Sequence, residues 1–288
     1  MNSLTATEDY VSLLLALPHL QPATVLSLFF LTLARILPIL ALAPFFGSKN
    51  VPMAIRMMFA TALVAIVLPQ NLMVAKGELP FNLTFIGYLI KELLIGMILG
   101  FLAAIPFFIA QMAGGLIDHQ RGSASLQVTD PTTQSQTGPI GLLYNYVLIA
   151  IFFSLNGPFL FLDAVAASYQ LIPVDSLVNA TFFSLKTPFA KMVIRLFAKV
   201  MNLAIQLSAP ALVGILLTDM FLGIANRLAP QVQIVFLGMS LKSWIGIALM
   251  TAAWALIIKV MGKEALLWMK SINQWVQQIG YSYTAIGQ

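Results

Sequence analysis

Two long uncharged apolar runs, residues 93–117 and 140–162, flank the most polar stretch of the chain, Asp118-His119-Gln120-Arg121-Gly122-Ser123-Ala124-Ser125, which ends at Asp130-Pro131. A bilayer-crossing helix needs about 20 mostly apolar residues, and both runs meet that length. Residues 23–46 also qualify, interrupted by Arg35 and Pro38, whereas 57–68, bounded by Arg56 and Pro69, reads as half of a broken or buried helix. Residues 200–218 and 243–258 follow, separated by Asp219, Arg227 and Lys242. The pattern predicts about five to seven apolar helices. Backbone without helical hydrogen bonds is too costly to leave facing lipid, so the polar stretch must be wet or buried in protein. Hung between two apolar helices, it reads as a lid or plug.

Proline recurs inside the apolar runs, at Pro38, Pro106, Pro158 and Pro210, each removing a backbone donor and favouring a kink. Charges also fall at awkward depths: Arg35, Asp163 and the series Lys191, Arg195, Lys199. Charges inside a membrane usually face protein or water, so some helices are expected to pack on partners and not on lipid. From Glu264 the pattern changes. Trp268, Ile272, Trp275 and Ile279 fall near one helical face, with Lys270, Asn273 and Gln277 elsewhere, which predicts an amphipathic tail helix over 264–288. No tandem repeat or low-complexity linker appears, and residues 1–263 read as one membrane-associated unit.

Composition sharpens this. The chain is 60% hydrophobic and 9% charged, with a mean hydropathy of +0.92, against roughly 25% charged residues in soluble domains. It is an integral membrane or membrane-assembly protein. No basic residue precedes Arg35 and the N-terminal stretch carries Glu8 and Asp9, so the positive region of a cleaved signal is missing and the segment is expected to be retained. The net charge of +5 comes from scattered basic residues. Nucleic-acid binding needs a clustered basic surface, so anionic lipid contact and topology are the better explanations.

The candidate chemistry is sparse. Cysteine is absent and the two histidines are His19 and His119, which leaves no thiolate or imidazole metal site and no expected cofactor. Asp118, His119 and Arg121 sit near Ser123 and Ser125, but no G-x-S-x-G elbow surrounds them. No H-E-x-x-H, P-loop or paired-carboxylate motif occurs, and no enzymatic activity is expected. Lys191, Arg195 and Lys199, four residues apart, share a helix face. They would line a wet conduit, hold acidic partner residues, or snorkel at the head groups. Asp219 and Arg227 lie eight residues apart and could pair with each other, pair with another subunit, or simply bracket a loop. Gly114-Gly115 and Gly122 allow either a sharply folded loop or helix termination.

Three blocks carry a family resemblance. The first is Arg35-Ile36-Leu37-Pro38 through Pro44-Phe45-Phe46-Gly47, then Val51-Pro52, Arg56 and Pro69. The second is Gly114-Gly115-x-x-Asp118-x-Gln120-Arg121-Gly122 through Asp130-Pro131. The third is Thr218-Asp219-x-x-Leu222-Gly223-x-x-x-Arg227-x-Ala229-Pro230-Gln231, then Val235-Phe236-x-x-Gly238 and Lys242. In this order, across about residues 35–263, the chain resembles the T subunit of the bacterial type III secretion export apparatus, the SpaR/YscT/FliR family. The second block and the Thr-Asp pair look closer to the injectisome branch than to the flagellar one.

The resemblance implies an all-α, membrane-associated bundle of kinked apolar helices and helical hairpins that packs into a larger helical export gate. It implies R-type and S-type gate subunits as partners, contacts with the U-type switch subunit and the V-type export ring, and unfolded proteins in transit. Localisation would be the bacterial inner membrane, multi-pass, partly in the periplasmic-side assembly. A loop at about 115–139, with Gly115, Asp118, Gln120, Arg121, Gly122, Asp130 and Pro131, would help plug the closed pore. Arg35, Arg56, Lys191, Arg195, Lys199, Asp219, Arg227, Pro230, Gln231 and Lys242 would then be subunit contacts. The rival readings are a stand-alone secondary transporter, for which the two related halves common in such proteins are not visible, and a membrane-embedded hydrolase, for which no catalytic pair is visible.

Overall fold

A computed structural model describes residues 22–46, 51–74, 79, 81–122, 128–129, 136–176, 188–228 and 234–286; within them the side chains of 128–129, 188–193, 195, 234–237, 273 and 275–286 are not described. The described residues form eight α-helices: α1 (Pro22–Leu42), α2 (Met53–Val74), α3 (Leu83–Gln120), α4 (Pro139–Ser154), α5 (Gly157–Leu171), α6 (Pro188–Leu228), α7 (Ile234–Ala252) and α8 (Trp254–Ile286). A 3-10 turn, Pro44–Phe46, follows α1. Two-residue strands, β1 (Val128–Thr129) and β2 (Gln136–Thr137), pair antiparallel with Thr129 opposite Gln136. The all-α expectation holds. Among the described residues, four helices are long and apolar enough to cross a membrane, or up to six spans result if each of two bent helix pairs is one span.

Several boundaries differ from the hydropathy reading, each for a local reason. The half-helix expected at 57–68 is a full helix, because Pro69 lies within its last turns and does not end it. The run 93–117 extends back to Leu83: Asn82 Oδ1 accepts the Phe85 N–H at 3.2 Å and caps the N-terminus, which places Lys91 and Glu92 well inside α3. Pro38, Pro106 and Pro210 are interior to helices, as expected. Pro158 is not. The run 140–162 breaks at Leu155–Asn156, where Asn156 adopts φ 56°, and Pro158 sits in the first turn of α5, where its missing N–H costs nothing. The expected break at Asp219 is absent, since α6 runs unbroken to Leu228. A second break, between α7 and α8, bends the chain by 63°.

Two compact units organise these helices. The first comprises Met1–Ala103, Phe161–Ala190 and Ser271–Gln288. In it α1 and α2 pack through Ile36, Leu40, Ala60 and Val64, and Phe45 meets Phe161 edge-on at 5.5 Å. Gly96 permits the close crossing of α3 over α1, for a Cβ there would overlap the Arg35 carbonyl oxygen. The second unit comprises Ala104–Leu160 and Lys191–Lys270. In it α3 and α4 cross closely at Gly114, where an added Cβ would stand 2.5 Å from the Gly141 Cα and backbone N. The Phe107 and Phe152 rings pack edge-to-face at 5.5 Å in the same unit. Gly114 and Gly115 thus neither turn the chain nor end the helix. Trp268 and Ile272 of α8 are buried, whereas the side chains of Trp275 and Ile279 lie outside the described residues.

Candidate functional site

The polar stretch starts on the helix, not after it. Asp118, His119 and Gln120 form the last turn of α3, Arg121 follows, and Gly122 turns the chain with φ 81°, a conformation that favours glycine. The chain comes back through β2 and Gly138 into α4. Gly138 is the N-cap and has no side chain to cap with. The cap comes from elsewhere: Asp118 Oδ2 accepts the backbone N–H of Ile140 at 2.9 Å and of Gly141 at 3.2 Å. A Cβ on Gly138 would overlap that carboxylate, so glycine is what lets the two ends of the loop meet.

The other carboxylate oxygen, Oδ1, accepts from Arg121 Nη2 at 2.6 Å, and Arg121 Nη1 donates to Ser243 Oγ of α7 at 3.0 Å. One buried carboxylate therefore binds the end of α3, the start of α4 and, through Arg121, α7. The electrostatics agree. An anion is unfavourable at a helix C-terminus and favourable at an N-terminus; Asp118 belongs to the first and is aimed at the second, while Arg121 stands beyond the end of α3. Asp118 and Arg121 thus form a buried ion pair. Ser243 and Gly138 did not emerge from the sequence; a serine and a glycine have no pattern of their own until the carboxylate they meet is known.

A second buried ionic cluster lies in the first unit. Arg35 Nε and Nη2 donate to the two oxygens of Glu92 at 2.5 and 2.9 Å, Nη1 donates to Ser168 Oγ at 3.0 Å, and Nη2 also donates to the Ile172 carbonyl at 2.9 Å. The guanidinium stacks 4.0 Å from the Tyr169 ring. Lys91 Nζ pairs with Glu92 at 2.7 Å and donates to the carbonyls of Pro173, Val174 and Ser176. Both Arg35 and Glu92 side chains are 0% exposed. The charges of Lys91 and Glu92 end the uncharged run at residue 93 in the sequence, although both residues lie inside the helix.

The remaining expected site residues are dispersed. Arg56 donates to the Val51 carbonyl at 3.1 Å. Asp219 pairs with Lys242 of α7, and Arg227 lies exposed two turns further along the same helix. Lys199 meets Glu264 at 3.4 Å and lies 5.3 Å from the Trp268 ring. Gly115 lies within α3 with open space beside it. Asp163 is exposed on α5. Asp130, Pro131, Pro230 and Gln231, and the side chains of Lys191 and Arg195, lie outside the described residues.

Comparison with known proteins decides the family. The profile described as "Bacterial export proteins, family 1" matches residues 26–266, a span that holds all three sequence blocks and both ionic clusters. The chain belongs to this family. Among its relatives, the Yop proteins translocation protein T of Yersinia pestis is 35% identical over 185 residues, covering 64% of this chain and 69% of that protein. The flagellar biosynthetic protein FliR of Bacillus subtilis is 29% identical over 254 residues, covering 88% and 96%. The secretion system apparatus protein SsaT of Salmonella typhimurium is 30% identical over 213 residues, covering 74% and 79%. The resemblance to the SpaR/YscT/FliR family is thus confirmed, and this family-1 export protein carries the multi-pass helical composition of a membrane-embedded export component.

Proposed function

We propose that this chain is a structural and gating subunit of a type III secretion export gate in the bacterial inner membrane, and that it helps form and close the pore through which unfolded proteins leave. The observation that carries the gating part is the Asp118 carboxylate, which binds both ends of the polar loop at once. A pore plug has to be polar enough to sit in a hydrated channel and tethered firmly enough to exclude ions at rest. A loop closed at its base by one buried, charge-assisted junction meets both requirements.

In this reading the part of the expected 115–139 loop that lies between Gly122 and Gly138, including Asp130 and Pro131, enters the pore, while 115–121 anchor it from the end of α3, and no bond chemistry is performed. R-type and S-type subunits are the direct neighbours, with the U-type and V-type subunits beyond them. Arg227, Arg56 and Lys199, with Lys191, Arg195, Pro230 and Gln231, remain the residues for those contacts, whereas Asp219 and Lys242 pair with each other across α6 and α7. Arg35 belongs to the internal frame, being fully buried against Glu92. The injectisome branch is supported by the higher identity to translocation protein T, although over a shorter span than the flagellar relative.

The test replaces residues 123–135 with a short glycine–serine linker, leaving Asp118, Arg121 and Gly138 in place. Small-ion leakage and effector export are then measured in cells, with co-purification of R-type and S-type subunits as the assembly control. Leakage through an intact complex is the expected outcome. A complex that assembles, stays sealed and exports normally would reduce the loop to a connector.

A further inference from the structure

Helix α7 touches two neighbours with two adjacent stripes. Along one stripe, at i, i+4 and i+7, Met239 lies next to Gly122, Ser243 accepts from Arg121, and Gly246 leaves room for the Arg121 stem. A Cβ on Gly246 would stand 3.1 Å from Arg121 Cδ and 3.0 Å from Ile215. Along the other stripe, at 238, 242, 245 and 249, the same helix packs on α6: Gly238 faces Leu222, Lys242 pairs with Asp219, and Ile245 and Leu249 lie over Gly214. Residues three and four apart share a helix face, so each stripe is a continuous contact. Lys242 and Ser243 are consecutive, one on each.

We infer that α7 is a lever that couples α6 to the base of the polar loop, with Lys242 and Ser243 as positioning residues. This deepens the gating proposal and rests on it for its consequence, but the coupling itself is a separate claim. A helix is stiff, so a shift of α6 that drags Lys242 through the Asp219 pair displaces Ser243 and Met239 together. Arg121 then loses a hydrogen-bond partner and Asp118 loses part of what orients its carboxylate toward the α4 N-terminus. Close packing at Gly214 and Gly246 leaves little slack for α7 to stay behind when α6 moves. Such coupling is a free energy between two places, and it is established only when a change at one alters the state of the other.

The absence of cysteine makes a direct measurement possible. A Gln136→Cys variant places a single thiol of this chain at the exposed first position of β2, and its rate of labelling by a membrane-impermeant maleimide reads loop closure in the assembled apparatus. Lys242→Gln and Asp219→Asn, neither of which touches the loop, are each expected to raise that rate about five-fold or more, the lower range of measured coupling between sites. Ser243→Ala is expected to do the same. The exchange Asp219→Lys with Lys242→Asp restores the pair and should return the rate toward that of the parent.

Unchanged labelling in Lys242→Gln and Asp219→Asn, with a rise in Ser243→Ala, would overturn the lever and leave α7 as a prop for Arg121 alone. If the single α6–α7 variants fail to assemble, the charge exchange decides: an assembled exchange variant labelling at the parent rate supports coupling, and one labelling as fast as Ser243→Ala contradicts it. A sealed pore after loop replacement would remove the plug reading while leaving this labelling result intact.

Discussion

The two buried arginine–carboxylate clusters are built for different purposes. In the first unit Arg35 makes a bidentate pair with Glu92, reaches Ser168 and the Ile172 carbonyl, and stacks on Tyr169, while Lys91 shares the same carboxylate. Two cations meet one anion, and five backbone or side-chain groups around them complete their hydrogen bonding. In the second unit Asp118 and Arg121 make one single-oxygen pair, and the other carboxylate oxygen is given to two backbone N–H groups across a chain reversal. The first cluster ties three helices into a frame. The second joins the two ends of a loop through one carboxylate, so a local change at that side chain is expected to loosen it.

Breaking the frame has the largest expected effect. Glu92→Gln leaves Arg35 and Lys91 buried with no anion between them, a loss of about 3–5 kcal/mol, to be seen as a fall in steady-state protein and in thermal stability in detergent. Replacing Arg35 and Glu92 together by methionine is expected to be milder than Glu92→Gln alone, because one buried cation, Lys91, and not two is then left without its anion. A methionine pair as harmful as the single change would show that the cluster specifies the helix arrangement and does not merely satisfy its own charges.

Next in size is the crossing beneath the loop. Gly114→Ala forces the α3 and α4 backbones apart and is expected to cost about 1–3 kcal/mol, read as a lower melting temperature and weaker co-purification with partners. Ser243→Ala removes one hydrogen bond from Arg121, worth about 0.5–1.5 kcal/mol. It is expected to leave global melting nearly unchanged while raising loop accessibility, which separates the clasp from the frame. The smallest effect belongs to the Lys199–Glu264 pair, whose side chains are 39% and 26% exposed. Lys199→Met should change stability by less than about 1 kcal/mol, setting the scale against which burial matters in the other two clusters.

The sequence makes the helical, membrane-embedded class plain, because 20-residue apolar runs survive any detail of packing. It also points to Asp118 and Arg121, whose polarity stands out between two such runs. What it hides has a common cause. Hydropathy reads charges as boundaries, so Lys91 and Glu92 marked an edge where α3 continues, and Asp219 marked a break where α6 continues. Their partners lie 57 residues away for Glu92 and 23 for Asp219, in other helices. Pair identities that depend on helix crossings are not periodic and leave no local mark. Glycines 96, 114 and 138 are ambiguous for the same reason: a close approach is a property of two segments.

The most direct measurement is ion leakage across the membrane of cells carrying the full apparatus with Asp118→Asn, an isosteric change that removes the charge but not the volume. With assembly verified by co-purification, the clasp account predicts a raised resting leak and faster labelling of Gln136→Cys in the complex that assembles, with leak and labelling normalised to the amount of that complex. A complex with Asp118→Asn that assembles, stays as tight as the parent and labels at the parent rate would contradict it.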